Sequence, residues 1–255
     1  ALENWTGGGQ NSIAANGLLH FEAAYTKGEA ALLNELDLGY GLTRQGGPNA
    51  DFRKSDDRLQ IRSNYTRDVA QNLELSGALN FLTSITRGFD YVEDEQGNEQ
   101  ETLISAFMAP GYLVSTIGLT YNPTQDLSLN LSPVTGKTTF VLNNRLSNQG
   151  TYGVPAGSRA RQELGANFRL ESSGGIVENV RYQTSVRLFN SYRHFSEIDV
   201  NWDGQINLKV NDYLTTNLTI ALIYDEDVDV TRADGTTGPD TQFKEVLAVG
   251  FKLGL

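Results

Sequence analysis

The run Asp199-Val200-Asn201-Trp202-Asp203-Gly204 has oxygen-bearing side chains at alternate positions followed by a glycine, the opening half of a calcium-binding loop. Such a loop ends on a bidentate glutamate at its twelfth position, and Val210 stands there instead. The same residues continue an apolar–polar alternation through Lys209, which places them on a strand with Asp199 and Asp203 on its polar face. Gly136-Lys137-Thr138 ends like a phosphate-binding loop, but Leu131 replaces its first glycine and no helical pattern follows. A serine–histidine pair would supply a nucleophile and its base. Of the two histidines, His20 is in phase with Glu22 on a polar face, and His194 lies beside Ser191 and Ser196 with no third orienting group. The expectation is no catalytic set, no enzyme activity and no cofactor. Asp225, Glu226, Asp227, Asp229, Asp234 and Asp240 crowd one connection, with Asp225, Asp227 and Asp229 the first candidates for a divalent cation and a solvated acidic loop the plain alternative. The acidic run Glu93–Glu101 is open to the same two readings.

The elements that carry these residues must be read from pattern rather than composition. The chain of 255 residues is 39% hydrophobic, with a mean hydropathy of -0.35. No apolar run approaches the roughly 18 to 20 residues of a transmembrane helix. A membrane strand hides its signal, because lipid-facing and lumen-facing residues alternate. A net charge of -11 excludes a nucleic-acid partner, whose phosphates require a basic surface. Cysteine is absent, so neither disulfides nor thiolate sites arise.

From Ile13 onward one theme recurs: an alternating segment, a turn, another alternating segment. Leu36, Leu38, Tyr40 and Leu42 oppose Glu35, Asp37, Gly39 and Gly41; Leu59, Ile61 and Tyr65 oppose Arg58, Gln60, Arg62 and Asn64. Leu73, Leu75 and Leu79 oppose Glu74, Ser76 and Asn80; Leu164, Ala166, Phe168 and Leu170 oppose Glu163, Asn167, Arg169 and Glu171. Val180, Tyr182, Val186 and Leu188 oppose Arg181, Gln183, Ser185 and Arg187, and the final segment keeps Phe243, Leu247, Val249, Phe251, Leu253 and Leu255 in phase. The segments run roughly nine to sixteen residues, beyond the five or six of globular strands and sufficient for a tilted membrane strand. Short turns at Lys27–Ala30, Asp68–Asn72, Asn122–Asp126 and Asn211–Tyr213, with a longer one at Ser172–Asn179, alternate with long loops at Gly46–Asp56, Gly88–Glu101, Asn143–Ala160 and Glu226–Thr241. Short turns on one rim and long loops on the other are the layout of an outer-membrane barrel, and a soluble β-sandwich does not require them.

The pattern predicts an all-β, antiparallel, transmembrane up-and-down barrel forming a single domain over 1–255, with 1–12 as a lead-in. Eleven strands begin near Ile13, Ala31, Asp57, Leu73, Ser105, Leu127, Arg161, Val180, Ile198, Leu214 and Phe243. Bacterial single-chain barrels have even strand numbers, so a twelfth strand is expected upstream of Ala1.

Asn4-Trp5-Thr6-Gly7-Gly8-Gly9-Gln10-Asn11-Ser12 resembles the opening motif of an uncharacterised outer-membrane barrel family of Bacteroidetes-type bacteria, a domain of unknown function. The resemblance continues through Leu36–Gly41, Phe52–Asp57, Leu131–Lys137, Ile198–Trp202 and Gln242–Leu247. It implies a barrel fold, an outer-membrane location and a strand ahead of the Asn-Trp motif, and it implies no activity.

The polar face is predicted to set Glu22, Glu35, Asp37, Glu74, Glu163, Glu171, Asp199 and Asp203 against Arg58, Arg62, Arg169, Arg181, Arg187, Lys209, Lys244 and Lys252. Burying one sign alone would be costly, so a mixed set implies crosslinked charges in a narrow lumen. The expected role is a barrel that scaffolds other outer-membrane proteins, in contact with outer-membrane lipid and lipopolysaccharide. A narrow channel for small solutes or ions is the alternative, and a lipid-modifying enzyme a distant third.

Overall fold

The structure, a computed structural model, describes residues 11–46, 50–94, 99–226, 229–232 and 235–251. In chain order its elements are β1 (Ser12–Lys27), β2 (Ala30–Gln45), β3 (Arg53–Ala70), β4 (Leu73–Thr83), β5 (Gly88–Glu93), β6 (Glu99–Ser105), β7 (Gly111–Thr124), β8 (Leu127–Phe140), α1 (Asn144–Gln149), β9 (Ala160–Val177), β10 (Val180–Ser191), β11 (Ile198–Lys209), β12 (Leu214–Tyr224), β13 (Asp229–Thr231), β14 (Thr237–Pro239) and β15 (Gln242–Phe251). Eleven strands form one sheet in the order β1-β2-β3-β4-β7-β8-β9-β10-β11-β12-β15, while β5–β6 and β13–β14 are separate hairpins inside long connections. Among the described residues, no helix is long and apolar enough to cross a membrane, a result that does not bear on crossing by strands.

Turn chemistry explains the tight rim. Gly28 has φ 59 at the first central position of the two-residue β1–β2 turn, the place where a type II′ turn requires a positive φ. Asn72 and Asn179, with φ 59 and 72, take the left-handed conformation in the β3–β4 and β9–β10 turns, which asparagine tolerates better than most residues.

The ladder registers extend the alternation of single strands into two faces of the whole sheet. Phe21, Leu36, Ile61, Phe81 and Leu113 stand opposite one another in succession from β1 to β7. Leu129, Leu170, Val186, Trp202, Leu222 and Phe243 do the same from β8 to β15. On the opposite face Glu22, Glu35, Arg62 and Asn80 form one row, and Asn130, Arg169, Arg187 and Asn201 another.

The apolar face has no second layer over it among the described residues: Phe21 is 58% and Leu247 65% exposed. A sandwich would bury this face. The buried apolar cluster lies elsewhere, in the long connections, where Leu103, Ala106, Ala109, Val141, Leu146 and Val154 form a small cap core. Asn143 caps α1 by accepting from the backbone N–H groups of Arg145 and Leu146, and Gly150, at φ 70, ends it.

Several boundaries differ from the sequence expectation. β3 begins at Arg53 rather than near Asp57, and the strand expected from Ser105 begins at Gly111. Between them Ala106 and Ala109 exchange backbone hydrogen bonds of 2.8 and 2.9 Å, a local excursion that Pro110 ends. The turn expected over Ser172–Asn179 is mostly strand, since Ser172, Ser173, Gly174 and Gly175 pair with Thr184, Gln183, Tyr182 and Arg181. Cross-strand pairing there overrides a loop-like composition, and the Ser172 and Tyr182 hydroxyls bond at 2.9 Å. The loops expected over Gly88–Glu101, Asn143–Ala160 and Glu226–Thr241 contain β5–β6, α1 and β13–β14.

All described residues of β1 and β15 are exposed, and neither has a ladder on its outer side among the described residues. The sheet is therefore not closed by direct pairing of these strands. An odd number of antiparallel strands makes β1 and β15 parallel to each other, both running from the long-connection rim to the short-turn rim.

Candidate functional site

The polar face collects the charges into compact groups. Near β1, the His20 Nδ1–H donates to Asp37 Oδ1 at 2.7 Å, and Arg62 donates to Glu35 at 2.9 Å and to Asp37 Oδ2 at 2.7 Å. Across β8–β11, Lys137 donates to Asp199 at 2.5 Å while its ammonium sits 4.3 Å from the centre of the Phe189 ring. Asp199 and Phe189 are both buried. Glycine is required beneath that ring: a Cβ at Gly165 would lie 2.1 Å from the Asn190 carbonyl oxygen and 2.9 Å from the ring. Arg161 pairs with Glu163 at 2.9 Å, Arg187 with Asp203 at 2.9 Å and Arg169 with Glu171 at 3.9 Å.

Uncharged groups tie the remaining strands together. Asn130 on β8 donates to Ser76 on β4 and Thr120 on β7, each at 2.9 Å, and Ser132 donates to Asn130 at 2.8 Å. Asn122 donates to Glu74 at 2.9 Å, Gln60 to Asn80 at 3.0 Å and Asn217 to Asn207 at 2.5 Å. Several cavities open on this face, among them one of about 730 Å³ near the short-turn rim, bordered by Arg181, Asn207, Lys209 and Asn217. Another of about 560 Å³ is bordered by Glu171, Gln183, Ser185, Asp203 and Gln205, and one of about 250 Å³ near the long-connection rim by Arg161, Glu163, Phe189, His194 and Asp199. Arg187, opposite Asn201 and Arg169, stands at a level between these last two.

The described members of the expected lumen set share this face, though not all join its pairs. Glu22, Arg58, Arg181 and Lys244 stand apart from them, and Lys252 lies outside the described residues. Lys209 turns to Asp212 at the short-turn rim, at 2.7 Å, and holds that carboxyl below its ordinary range. Lys137 and Arg161 are polar-face residues that sequence reasoning missed. The alternation set by Leu127, Leu129 and Leu131 would put Lys137 on the apolar face. A register shift between Ser132 and Thr135 reverses the phase, and the residue reaches Asp199 instead. Gly118 accommodates the irregularity, because a Cβ there would come within 2.2 Å of the Leu131 carbonyl oxygen.

Each motif weighed from sequence has a definite place. Asp199 and Asp203 face the polar side of β11 and pair with Lys137 and Arg187, in a strand rather than a calcium loop. Gly136-Lys137-Thr138 lies within β8. His194 Nδ1 is 3.3 Å from Glu197, and the Ser191 hydroxyl accepts from the Arg193 backbone N–H at 3.4 Å. In the acidic connection, of the grouping Asp225, Asp227 and Asp229, Asp227 and the side chain of Asp229 lie outside the described residues. Asp240 accepts from Arg232 at 2.8 Å, which holds its carboxyl below the ordinary range and braces the β13–β14 hairpin. In the other acidic run, Glu99 bonds Arg53, whose guanidinium sits 4.3 Å from the centre of the Tyr91 ring.

A family described as a protein of unknown function (DUF3078) matches residues 1–89. No curated protein matches the chain. Among solved structures, the ferric-catecholate import receptor Fiu of E. coli K12, in its closed form, aligns over 96% of this chain at 13% identity and a TM-score of 0.31. The chain spans 45% of that receptor's length.

Proposed function

We propose that this chain is an integral barrel of the bacterial outer membrane, with a narrow, charge-filled bore and a structural role toward other outer-membrane components. The supporting observation is the uncovered apolar face. In water, an apolar wall running across eleven strands would be an aggregation surface; in a bilayer it is the lipid-facing wall. On β15, Phe243 and Phe251 bracket this wall eight residues apart, about 27 Å along the strand and about 21 Å once tilted, inside the roughly 25 Å apolar band of such barrels.

Closure with an even strand count takes one more strand. Two free edges in hydrocarbon would leave rows of unpaired N–H and C=O groups, at several kcal/mol each. Because β1 and β15 are parallel, a single strand running from the short-turn rim to the long-connection rim pairs antiparallel with both and makes the count even. A segment joined to β1 through the long-connection rim has that direction. Two co-inserted copies meeting β15 to β1 would form only parallel pairs.

Arg62, Lys137, Arg161, Arg169 and Arg187, each beside a carboxylate, crowd the bore. In planar bilayers the protein is expected to give no steady conductance comparable to a general porin, and to co-purify with stoichiometric outer-membrane partners in mild detergent. Large, stable single-channel steps would overturn the closed bore. The cavities on the polar face favour a narrow solute channel as the second reading, for which small, solute-selective conductance without a partner is the signature.

A further inference from the structure

The β1–β2 end of the polar face contains an arrangement that the charge-pairing account does not use. Glu22 and Glu35 stand directly opposite each other in the ladder, and like charges so placed repel. Arg62 answers Glu35 and Asp37, while Glu22 has no hydrogen bond or ion pair among the described residues. His20 lies two residues from Glu22 on the same face. One ring nitrogen of His20 and one carboxylate oxygen each from Glu22 and Glu35 lie within 4.8 Å of one another.

Asp37 adds an orienting contact. It accepts the His20 Nδ1–H at 2.7 Å, which fixes the tautomer and leaves Nε2 with a lone pair. A carboxylate behind a histidine is the usual outer support of a metal-bound imidazole. Ligands about 2.1 Å from an ion stand at most about 4.2 Å apart, so the three side chains, with ligand atoms within 4.8 Å of one another, must draw closer to hold it. Glu22 is exposed, and Glu35, whose Oε1 accepts from Arg62, has its second carboxylate oxygen to offer.

We infer that His20, Glu22 and Glu35 bind a divalent cation of the zinc class, with Asp37 orienting the histidine and water completing the coordination. The imidazole nitrogen selects against calcium and magnesium, which take oxygen ligands only. The cation removes the Glu22–Glu35 repulsion and crosslinks β1 to β2 at the sheet edge. The site depends on the polar face of the β1–β2 ladder and not on the location of the sheet.

Zinc titration of the folded full chain in detergent micelles, followed by calorimetry, tests this. The expected result is one saturable equivalent that persists under a tenfold excess of calcium. Glu22→Gln and His20→Gln should each weaken binding at least tenfold, and Asp37→Asn about tenfold, the usual loss for an orienting carboxylate. His194→Ala, at the other histidine, should leave it unchanged. Glu22 has no partner among the described residues, so Glu22→Gln should keep the wild-type circular dichroism spectrum. Absence of saturable binding, or binding equally strong in Glu22→Gln, overturns the site. Either outcome would also fit a basic side chain of a neighbouring strand answering Glu22 instead of an ion.

Discussion

Replacing Leu218 with arginine is expected to destabilise the folded protein in a bilayer by about 2 to 4 kcal/mol, whereas arginine at Thr219 should cost less than about 1 kcal/mol. The two residues are adjacent in the middle of β12, but Leu218 pairs with Ile206 and Leu247 on the apolar face, and Thr219 pairs with Gln205 and Val246 on the polar face. In the proposed barrel, the guanidinium at the first position enters hydrocarbon near the midplane. At the second it projects into a cavity bordered by Asp203 and Glu171, where water and carboxylates receive it. Urea titration of folding into lipid vesicles measures both. Equal penalties would mean that the two faces meet the same solvent.

Lys137→Met should cost about 3 to 5 kcal/mol, the penalty for leaving a buried carboxylate without its partner. Asp199 is buried, and Lys137 is the cation bonded to it, at 2.5 Å. The methionine can still pack on Phe189, so the loss reports the charge rather than the volume. Adding Asp199→Leu should recover most of it, since removing both charges leaves neither uncompensated. Thermal or urea unfolding of the two single variants and the double variant closes the cycle. A double variant less stable than Lys137→Met alone would mean that the pair does not act as a unit.

Much of the sheet was legible because long strands with one apolar and one polar face leave a period-two signal. The rows from Phe21 to Leu113 and from Leu129 to Phe243 follow from alternation once register is known, and register follows from tight turns such as Gly28–Glu29. Alternation fails where the backbone adds a residue. The irregularity at Ser132–Thr135 reverses phase and hides Lys137, the partner of a buried aspartate. It also fails where pairing overrules composition, as at Ser172–Gly175. The cap of the long connections was not legible, since α1 is only six residues long and β13 and β14 three each, too short to show a period. The His20–Asp37 contact required the register that sets those two residues opposite each other, which sequence spacing alone does not supply.

The most direct test of a closed barrel in a lipid bilayer is a cysteine scan along the edge strand β15, read by a fluorescent label with quenchers confined to lipid or to water. The barrel predicts strict alternation: labels at 243, 247 and 249 quenched only from lipid, and labels at 244, 246 and 248 only from water, although Val246 and Ala248 are themselves apolar. Water quenching at all six positions would contradict the membrane location, and lipid quenching on both faces would contradict closure by a strand beside β15.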